Sequence, residues 1–210
     1  MKLYSFPTSS ASWRVRTVLH LKGVPFETVT VNMPAKEQRT PAYGRINPQN
    51  RVPALELDDG TILTQSLAII DYLEQPHPEP SVHAADPITR ARALAVAIAI
   101  ASEIQPLNNS AVTDYVRDEQ GGLDQAGLDA WMAHFMRAGF RAIEQLIDAP
   151  LFAFGSRPTI ADVCIVPQVF NAHRFKVDIS DFPKLVAVAD VAGAHPAFAA
   201  AHPSRQPQLA

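Results

Sequence analysis

Two stretches near the start of the chain alternate apolar and polar residues with the period of a β-strand, Lys2 to Phe6 and Phe26 to Val31. The segment between them has helical spacing and ends at Gly23, which Pro25 follows closely. One face of this helix carries Ala11, Val15, Val18 and Leu19. The pattern predicts a βαβ unit with two neighbouring strands joined by a right-handed crossover.

A second group of elements follows a polar stretch from Pro34 to Tyr43. Strand patterns from Pro53 to Leu57 and from Thr61 to Thr64 flank an Asp-Asp-Gly sequence, and Asp-Gly between alternating runs predicts a hairpin. Helical spacing then runs from Ser66 to Glu74. The order β-α-β-α-β-β-α is that of an N-terminal thioredoxin-like domain, although the pattern alone leaves other α/β folds open.

The pattern changes after this helix. Prolines at 76, 78 and 80 interrupt all periodicity, and Asp86-Pro87 marks a new helix start. Because every long segment from there on has helical spacing, we predict a thioredoxin-like domain over 1–80, a linker over 81–87 and a C-terminal helical bundle over 88–210. Its predicted apolar faces carry Ile88, Ala91, Ala95 and Ile98, and Leu128, Trp131, Met132, Phe135, Gly139, Ile143, Leu146 and Ile147.

Composition excludes several classes of protein. The 210 residues are 47% hydrophobic and 19% charged, which is typical of a globular fold. A net charge of −3 disfavours a nucleic-acid partner. The apolar stretch from Ala93 to Ala101 is far shorter than the roughly 20 residues of a membrane span, so we expect a buried helix there. Cys164 is the only cysteine and the N-terminal run lacks a signal-peptide core, so we expect a cytoplasmic protein without a disulfide or a metal site.

The first candidate for chemistry is Ser9-Ser10, where the first predicted strand gives way to the first helix. A helix N-terminus offers unpaired N–H groups and a partial positive charge, which would stabilise a thiolate held there. Serine is also a common helix cap, and the motif alone favours that structural role over catalysis.

Two further segments fit a small anionic peptide. At Val52-Pro53 a proline opens a strand, and a cis bond would turn the Val52 backbone outward as a partner for an extended peptide. An edge-strand proline is the alternative. Gln65-Ser66 opens the next helix and would suit a carboxylate, although Ser66 also suits a helix cap. All three loops are predicted at the same end of one sheet. By contrast, Thr159 to Asp162 has the spacing of a capping box, which is a structural feature.

Motifs along essentially the whole chain resemble the zeta class of the glutathione transferase family. The matching segments are Ser9 to Arg16, Asn47-Pro48 with Val52-Pro53, Gln65 to Ile70, Ile104 to Asn109, Arg174 to Asp178 and His202 to Pro207. The first and the fifth are specific to this class, whereas Gln65-Ser66 and Val52-Pro53 occur across the superfamily. The resemblance implies a glutathione transferase fold and a homodimer, which the family forms by pairing the sheet domain of one subunit with the helical domain of the other.

The resemblance also implies roles for single residues. Ser9 and Ser10 would hold the glutathione sulfur in a motif that includes Ala11, and Val52 would pair with the cysteinyl backbone. The residues implied at the γ-glutamyl end are Gln65 and Ser66. Further glutathione candidates are Gln105 and Asn109 from the helical domain and, more weakly, Gln49 and Gln38. Arg174 matches an arginine that receives a substrate carboxylate, whereas without the resemblance it is a solvated charge at a helix end.

Two positions depart from the family motif. This chain has Ala11 where the motif usually carries cysteine, and Thr8 where it usually carries arginine. That arginine would pair with a carboxylate of a diacid substrate. The cations considered as replacements are Arg14, Arg16, Arg45 and Lys176.

The implied activity is glutathione-dependent cis–trans isomerisation of a conjugated diacid, of the maleylacetoacetate or maleylpyruvate type, in the catabolism of aromatic amino acids or other aromatic compounds. The thiolate would add to the double bond, the resulting single bond would rotate, and elimination would regenerate glutathione. One alternative is a transferase, dehalogenase or ether-cleaving lyase that consumes glutathione, which Thr8 and Ala11 favour somewhat. Another is a glutathione-binding protein without catalysis, and the Ser9-Ser10 pair counts against it.

Overall fold

The computed structural model describes residues 1–118 and 122–208, and their contacts group into two compact units. The first unit comprises Met1–Val82 together with the chain from Ala194 onwards, and the second comprises His83–Gly193. The predicted division has a linker over 81–87 and a helical domain over 88–210, so the two divisions differ at residues 83–87 and in the segment that follows residue 193. Residues 119–121 and 209–210 of that predicted domain lie outside the described part of the chain.

A four-stranded sheet forms the centre of the first unit, in the order β2-β1-β3-β4. Its strands are β1 (Lys2–Ser5), β2 (Glu27–Thr30), β3 (Ala54–Glu56) and β4 (Ile62–Thr64). β1 is parallel to β2 and antiparallel to β3, and β3 is antiparallel to β4. The predicted βαβ unit and hairpin are both confirmed, because β1 and β2 are parallel neighbours on either side of a helix and β3 and β4 are antiparallel neighbours.

Helices α1 (Ser10–Leu21), α2 (Pro41–Gly44) and α3 (Ser66–Glu74) complete the thioredoxin-like part of this unit. Gly23 follows the C-cap residue of α1 and has the left-handed conformation, with φ +63°, that commonly terminates a helix. The polar stretch before β3 forms a 3₁₀ turn, Glu37–Arg39, directly followed by α2. The predicted order of strands and helices is therefore confirmed.

A buried ion pair fixes the end of α1 against the end of α3. Lys22 Nζ lies 2.7 Å from Glu74 Oε1, and both side chains are almost completely buried. Burial by itself raises the pKa of Glu74, but hydrogen bonds from Lys22, Ser81 Oγ and the Val82 N–H outweigh it and hold the pKa below its ordinary value. Lys22 also donates to the carbonyls of His77 and Pro80, so it anchors the proline-rich segment.

The segment after residue 193 joins the first unit because α9 (Pro196–Ala201) packs on α1. Phe198 and Ala201 are fully buried. The Trp13 ring meets the His202 ring edge to face, with the centroids 5.1 Å apart. Apolar contact with α1 therefore explains why this segment groups with the sheet.

The described residues of the second unit form five α-helices. They are α4 (Pro87–Ile98), α5 (Ser110–Asp118), α6 (Gln125–Leu146), α7 (Ile160–Arg174) and α8 (Pro183–Ala194). A π-helical segment, Ala99–Ile104, and a 3₁₀ turn, Gln105–Asn108, connect α4 to α5. Gly139 lets the Ile104 side chain pack directly on α6, because a Cβ at this position would overlap it. None of the helices in the described ranges is long and apolar enough to cross a membrane.

The capping box that opens α7 is present as predicted. The Asp162 carboxylate accepts hydrogen bonds from the Thr159 N–H at 2.7 Å and the Thr159 hydroxyl at 2.8 Å. It also accepts one from the Ala153 N–H at 2.8 Å, so it ties the preceding loop to the helix. The structural interpretation of this motif is confirmed.

The apolar face predicted for α4 is not where the helix packs. Ala93, Val96 and Ala97 are buried, whereas Ile88 and Ile98 are 72% and 44% exposed. The face predicted to be buried, which also includes Ala91 and Ala95, is solvent-exposed in this chain. The expectation of a wholly buried helix from Ala93 to Ala101 is therefore wrong for one side of the helix, since small alanines on the other side make the core contact.

Candidate active site

The strand register brings three loops to one edge of the sheet. Tyr4 near the end of β1 pairs with Ala54 at the start of β3, and Ala54 pairs with Thr64 at the end of β4. The segments that follow β1, precede β3 and follow β4 therefore meet at the same end of the sheet. They are Phe6 to Ser10, Asn47 to Pro53 and Gln65-Ser66.

Ser9 is the N-cap of α1. Its Oγ accepts a hydrogen bond from the Ser12 N–H at 3.2 Å, and its own N–H donates to the Phe6 carbonyl at 3.1 Å. Capping uses a lone pair of the hydroxyl oxygen and leaves the hydroxyl hydrogen available to another acceptor. The capping role and the catalytic role of Ser9 are therefore compatible, and the side chain is half-buried rather than sealed in the core.

The next two residues belong to the first turn of α1. Ser10 and Ala11 are both buried. Their N–H groups are among the first four of the helix, which have no acceptor within the helix. The positive end of the α1 dipole therefore points toward the loop that carries Thr8 and Ser9.

Two buried side chains hold the loop before β3. The Tyr43 hydroxyl donates to the Arg51 carbonyl at 2.9 Å, and Asn47 Nδ2 donates to the same oxygen at 2.6 Å. Burial raises the pKa of Tyr43, which keeps its hydroxyl protonated as a donor. Asn47 Oδ1 accepts from the Gln49 N–H at 3.0 Å, which makes an Asx turn.

This loop presents the backbone of Val52 at the edge of the sheet. The Val52–Pro53 peptide bond is cis, one of the two isomers considered for it. Among the described residues, none forms a hydrogen bond with the N–H or the carbonyl of Val52. These groups are available to an extended ligand, whereas the neighbouring Arg51 carbonyl is held by Tyr43 and Asn47.

The loop after β4 differs in one respect from the sequence-based expectation. Gln65, not Ser66, is the N-cap of α3, with φ 67°. Its Nε2 donates to Gln49 Oε1 at 2.8 Å, which links the two neighbouring loops. Ser66 is buried in the first turn, where its Oγ accepts from Arg14 Nη1 at 3.3 Å. A buried guanidinium thus lies beside the N-terminus of α3, and both features favour an anion.

The remaining candidates lie elsewhere. Gln38 is buried in the 3₁₀ turn of the first unit. In the second unit, Gln105 opens the turn before α5, and Asn109 Oδ1 accepts from the Ala111 N–H at 3.0 Å.

Arg174 is the last residue of α7, is exposed, and stacks over the Phe175 ring with its Cζ 5.2 Å from the ring centroid. The salt bridges of the described residues do not include Arg174, so its charge is available for a ligand.

Of the four cations that were candidates to replace the missing arginine, two are held inside the protein and two are exposed. Arg14 binds Ser66, and Arg16 is completely buried and bonded to backbone acceptors of its own unit, so neither presents its charge at the surface. Arg45 and Lys176 are exposed.

Sequence reasoning missed the supporting roles of Arg14, Tyr43 and Asn47. Only Asn47, which precedes a proline in a typical Asx-turn sequence, carries a local signal.

Comparison with known protein families identifies the same family in both parts of the chain. The family model for the glutathione S-transferase N-terminal domain matches residues 3–81, and that for the glutathione S-transferase C-terminal domain matches residues 125–200. The first match contains all three loops at the edge of the sheet.

Individual relatives match over the full length. A maleylacetoacetate isomerase from Pseudomonas aeruginosa is 45% identical over 99% of this chain and 98% of its own. The holo structure of a maleylpyruvate isomerase, described as a bacterial zeta-class glutathione S-transferase, is 40% identical over 100% of both chains with a TM-score of 0.95. A maleylacetoacetate isomerase from Methylobacterium extorquens, solved with malonate and glutathione, is 32% identical over 99% of this chain and 98% of its own, with a TM-score of 0.94.

Proposed function

The chain belongs to the glutathione S-transferase family, and from this premise we propose that it is a glutathione-dependent cis–trans isomerase of a conjugated diacid. The substrate is of the maleylacetoacetate or maleylpyruvate type, because the full-length relatives of this chain are named as isomerases of these two compounds. The observation that carries the proposal is the Ser9 hydroxyl, which caps α1 and still has its hydrogen to donate.

The edge of the sheet fits glutathione in three respects. The free N–H and carbonyl of Val52 match the backbone of an extended peptide. The α3 N-terminus with Ser66, Gln65 and the nearby Arg14 suits the carboxylate of the γ-glutamyl end. Gln49, bonded to Gln65, borders the same region. Gln105 and Asn109 of the second unit are further proposed contacts.

Bound glutathione supplies a thiol whose deprotonated form adds reversibly to a conjugated double bond. Ser9 donates its hydroxyl hydrogen toward the sulfur, and the unpaired N–H groups of Ser10 and Ala11 add the partial positive charge of the helix. All three residues favour the thiolate over the thiol. Arg174 receives a substrate carboxylate and stabilises the negative charge that develops on addition.

An assay of glutathione stoichiometry tests this proposal. The protein is incubated with maleylacetoacetate or with maleylpyruvate, with and without glutathione, and both the trans product and free glutathione are quantified. We expect isomerisation that requires glutathione and leaves its concentration unchanged. Loss of one glutathione per turnover would instead establish a conjugating or lyase reaction, and turnover without glutathione would exclude both.

The exposed apolar face of α4 supports a homodimer as part of the proposal. Ile88, Leu94 and Ile98 are exposed together with Ala91 and Ala95 on one side of the helix. A contiguous apolar surface of this kind is typical of a subunit interface, and it belongs to the helical domain, which the family pairs with the sheet domain of the partner subunit about a two-fold axis.

We therefore expect light scattering to give the mass of a dimer at micromolar concentration, and Ile98→Asp to give a monomer that remains folded. Leu151→Asp is the matched control, because Leu151 is another exposed apolar residue, at 53% exposure, and lies outside the α4 face. A monomeric wild-type protein, or a dimer unaffected by Ile98→Asp, would contradict this assignment.

A cytoplasmic location completes the proposal. Glutathione keeps thiols reduced in the cytosol, which is where a reaction that uses its free thiol has its cofactor available. The single cysteine, Cys164, is buried in α7 and is consistent with a reducing compartment.

A further inference from the structure

Arg16 lies on α1 beneath the loop that carries Ser9, and its guanidinium makes four hydrogen bonds with the protein. Its Nη1 donates to Ser5 Oγ at 2.9 Å and to the Phe6 carbonyl at 3.3 Å. Its Nη2 donates to the Pro7 carbonyl at 2.9 Å, and its Nε donates to the Ala201 carbonyl at 3.1 Å. The side chain is fully buried, so Arg16 cannot itself contact a ligand.

The Phe6 carbonyl connects Arg16 directly to Ser9. This oxygen accepts both from Arg16 Nη1 and from the Ser9 N–H, which closes the turn from Phe6 to Ser9. Arg16 therefore holds two consecutive carbonyls of the turn that sets the position of the Ser9 hydroxyl. Through Ala201 it also ties this turn to α9.

The charge of Arg16 has no carboxylate partner among the described residues. Its four hydrogen bonds go to three carbonyls and a hydroxyl, and burial lowers its pKa to about 9, so it stays protonated at neutral pH. The charge of Arg16 also acts on two histidines. Burial and then the charge of Arg16 lower the pKa of His20, and burial, Arg16 and Arg205 lower that of His202. Arg14, also on α1, adds a second buried cation.

This arrangement differs from that of Lys22, a buried cation at the opposite end of α1. Lys22 is paired with the Glu74 carboxylate, so its charge is compensated locally. An uncompensated buried charge is costly unless it has several good hydrogen bonds. Arg16 has four such bonds, and a hydrophobic residue at this position would leave the Pro7 and Ala201 carbonyls without this donor, so the position combines a buried charge with a set of bonds to the turn.

We propose that Arg16 is a positioning residue for the glutathione site, which fixes the Phe6–Ser9 turn through its carbonyls and places an unpaired positive charge beneath the sulfur-binding end of α1. The inference rests on the proposed function, because it assigns the residue a role in activating glutathione. Two consequences can be separated: the guanidinium geometry orients Ser9, and the charge favours the thiolate.

The test compares Arg16→Lys, which keeps the charge but loses the fork of donors, with Arg16→Met, which loses both. Glu74→Gln is the control, because it perturbs a buried ion pair in the same unit away from the turn. For each protein, circular dichroism gives the folded fraction, absorbance gives the titration of the thiol of bound glutathione, calorimetry gives glutathione affinity, and steady-state assays give kcat.

For Arg16→Met we expect the pKa of the bound thiol to rise by about one pH unit and kcat of the folded protein to fall roughly 10- to 100-fold, with glutathione affinity close to wild type. Arg16→Lys should keep most of the thiolate stabilisation but lose turnover, because one ammonium group cannot hold both carbonyls. Glu74→Gln should lower the unfolding temperature and leave the thiol titration unchanged.

A folded Arg16→Met protein with the thiol titration and kcat of wild type would overturn the inference. If Arg16→Met does not fold, Arg16→Lys decides, and wild-type turnover in that variant would exclude positioning by the guanidinium. Failure of the proposed function has a different signature. In that case the wild-type protein would consume glutathione in the stoichiometry assay, or its glutathione complex would titrate like free glutathione, before any variant is considered.

Discussion

Replacing Ser9 by alanine is expected to raise the pKa of bound glutathione and to lower turnover by roughly 100-fold, the effect of removing one preorganised donor. The hydroxyl is held by the Ser12 N–H on its acceptor side, so its remaining hydrogen has a restricted direction. Ser9→Thr keeps both the cap and the hydroxyl and should retain most of the activity. Titration of the thiolate absorbance and single-turnover rates measure the two effects separately.

Loss of the helix cap must be distinguished from loss of the donor. Removing an N-cap costs about 1 kcal/mol of stability on its own. Asp124→Ala is a matched control, because Asp124 caps α6 through the Gly127 N–H and has no part in the proposed chemistry. It should lower stability by a similar amount with unchanged kcat. An unchanged thiol titration in Ser9→Ala would place the activating group elsewhere, with Ser10 the next candidate.

The sequence predicts which loops form the site, because their positions follow from the order of the strands. Two alternating runs joined by a helix, and a hairpin marked by Asp-Gly, suffice to place the ends of β1 and β4 and the start of β3 at one edge. Ser9, Val52 and Ser66 are each adjacent to one of those strand ends. Their proximity is therefore predictable before any side-chain contact is known.

Side-chain support for the loops is not predictable in the same way. Arg14 and Arg16 are two residues apart on α1, and their charge suggests solvent-exposed positions, yet both are among the most buried side chains. Their acceptors include Ser66, Ser5 and the carbonyls of Phe6, Pro7 and Ala201, which become neighbours only when the sheet and α9 have assembled. Such long-range contacts leave no periodic signal in the local sequence.

Helical periodicity also cannot identify which apolar face meets the core. On α4 the larger residues, Ile88 and Ile98, point to solvent, and the core contact is made by Ala93, Val96 and Ala97. Both faces are apolar, so hydrophobicity alone favours the one with larger side chains. The choice depends on packing, since small residues allow α4 and α7 to approach closely.

Arg174 provides the second large expected effect, because the sequence lacks the arginine that the family usually carries at the position of Thr8. The guanidinium of Arg174 is exposed at the end of α7, stacks on Phe175 and has no salt bridge with a described residue. Arg16 is buried and Arg14 is engaged with Ser66, so neither replaces the missing charge at the surface. Arg45 and Lys176 are also exposed, but Arg174 is the one whose motif resembles the carboxylate-binding motif of the family, so we expect it to be the main counter-charge for a substrate carboxylate.

Arg174→Ala should lower kcat/KM for anionic substrates by roughly 10- to 150-fold, because a charge-assisted hydrogen bond contributes about 1.5–3 kcal/mol. Glutathione affinity should stay close to wild type, and Arg174→Lys should recover only part of the loss, since lysine lacks the two-pronged geometry. Arg141→Ala, which removes another exposed arginine of the same unit, is the control and should leave the kinetics unchanged. The decisive comparison uses an uncharged electrophile, for which Arg174→Ala should have little effect. Equal losses with charged and uncharged substrates would mean that Arg174 supports the fold of α7 and would favour the conjugation or lyase reaction.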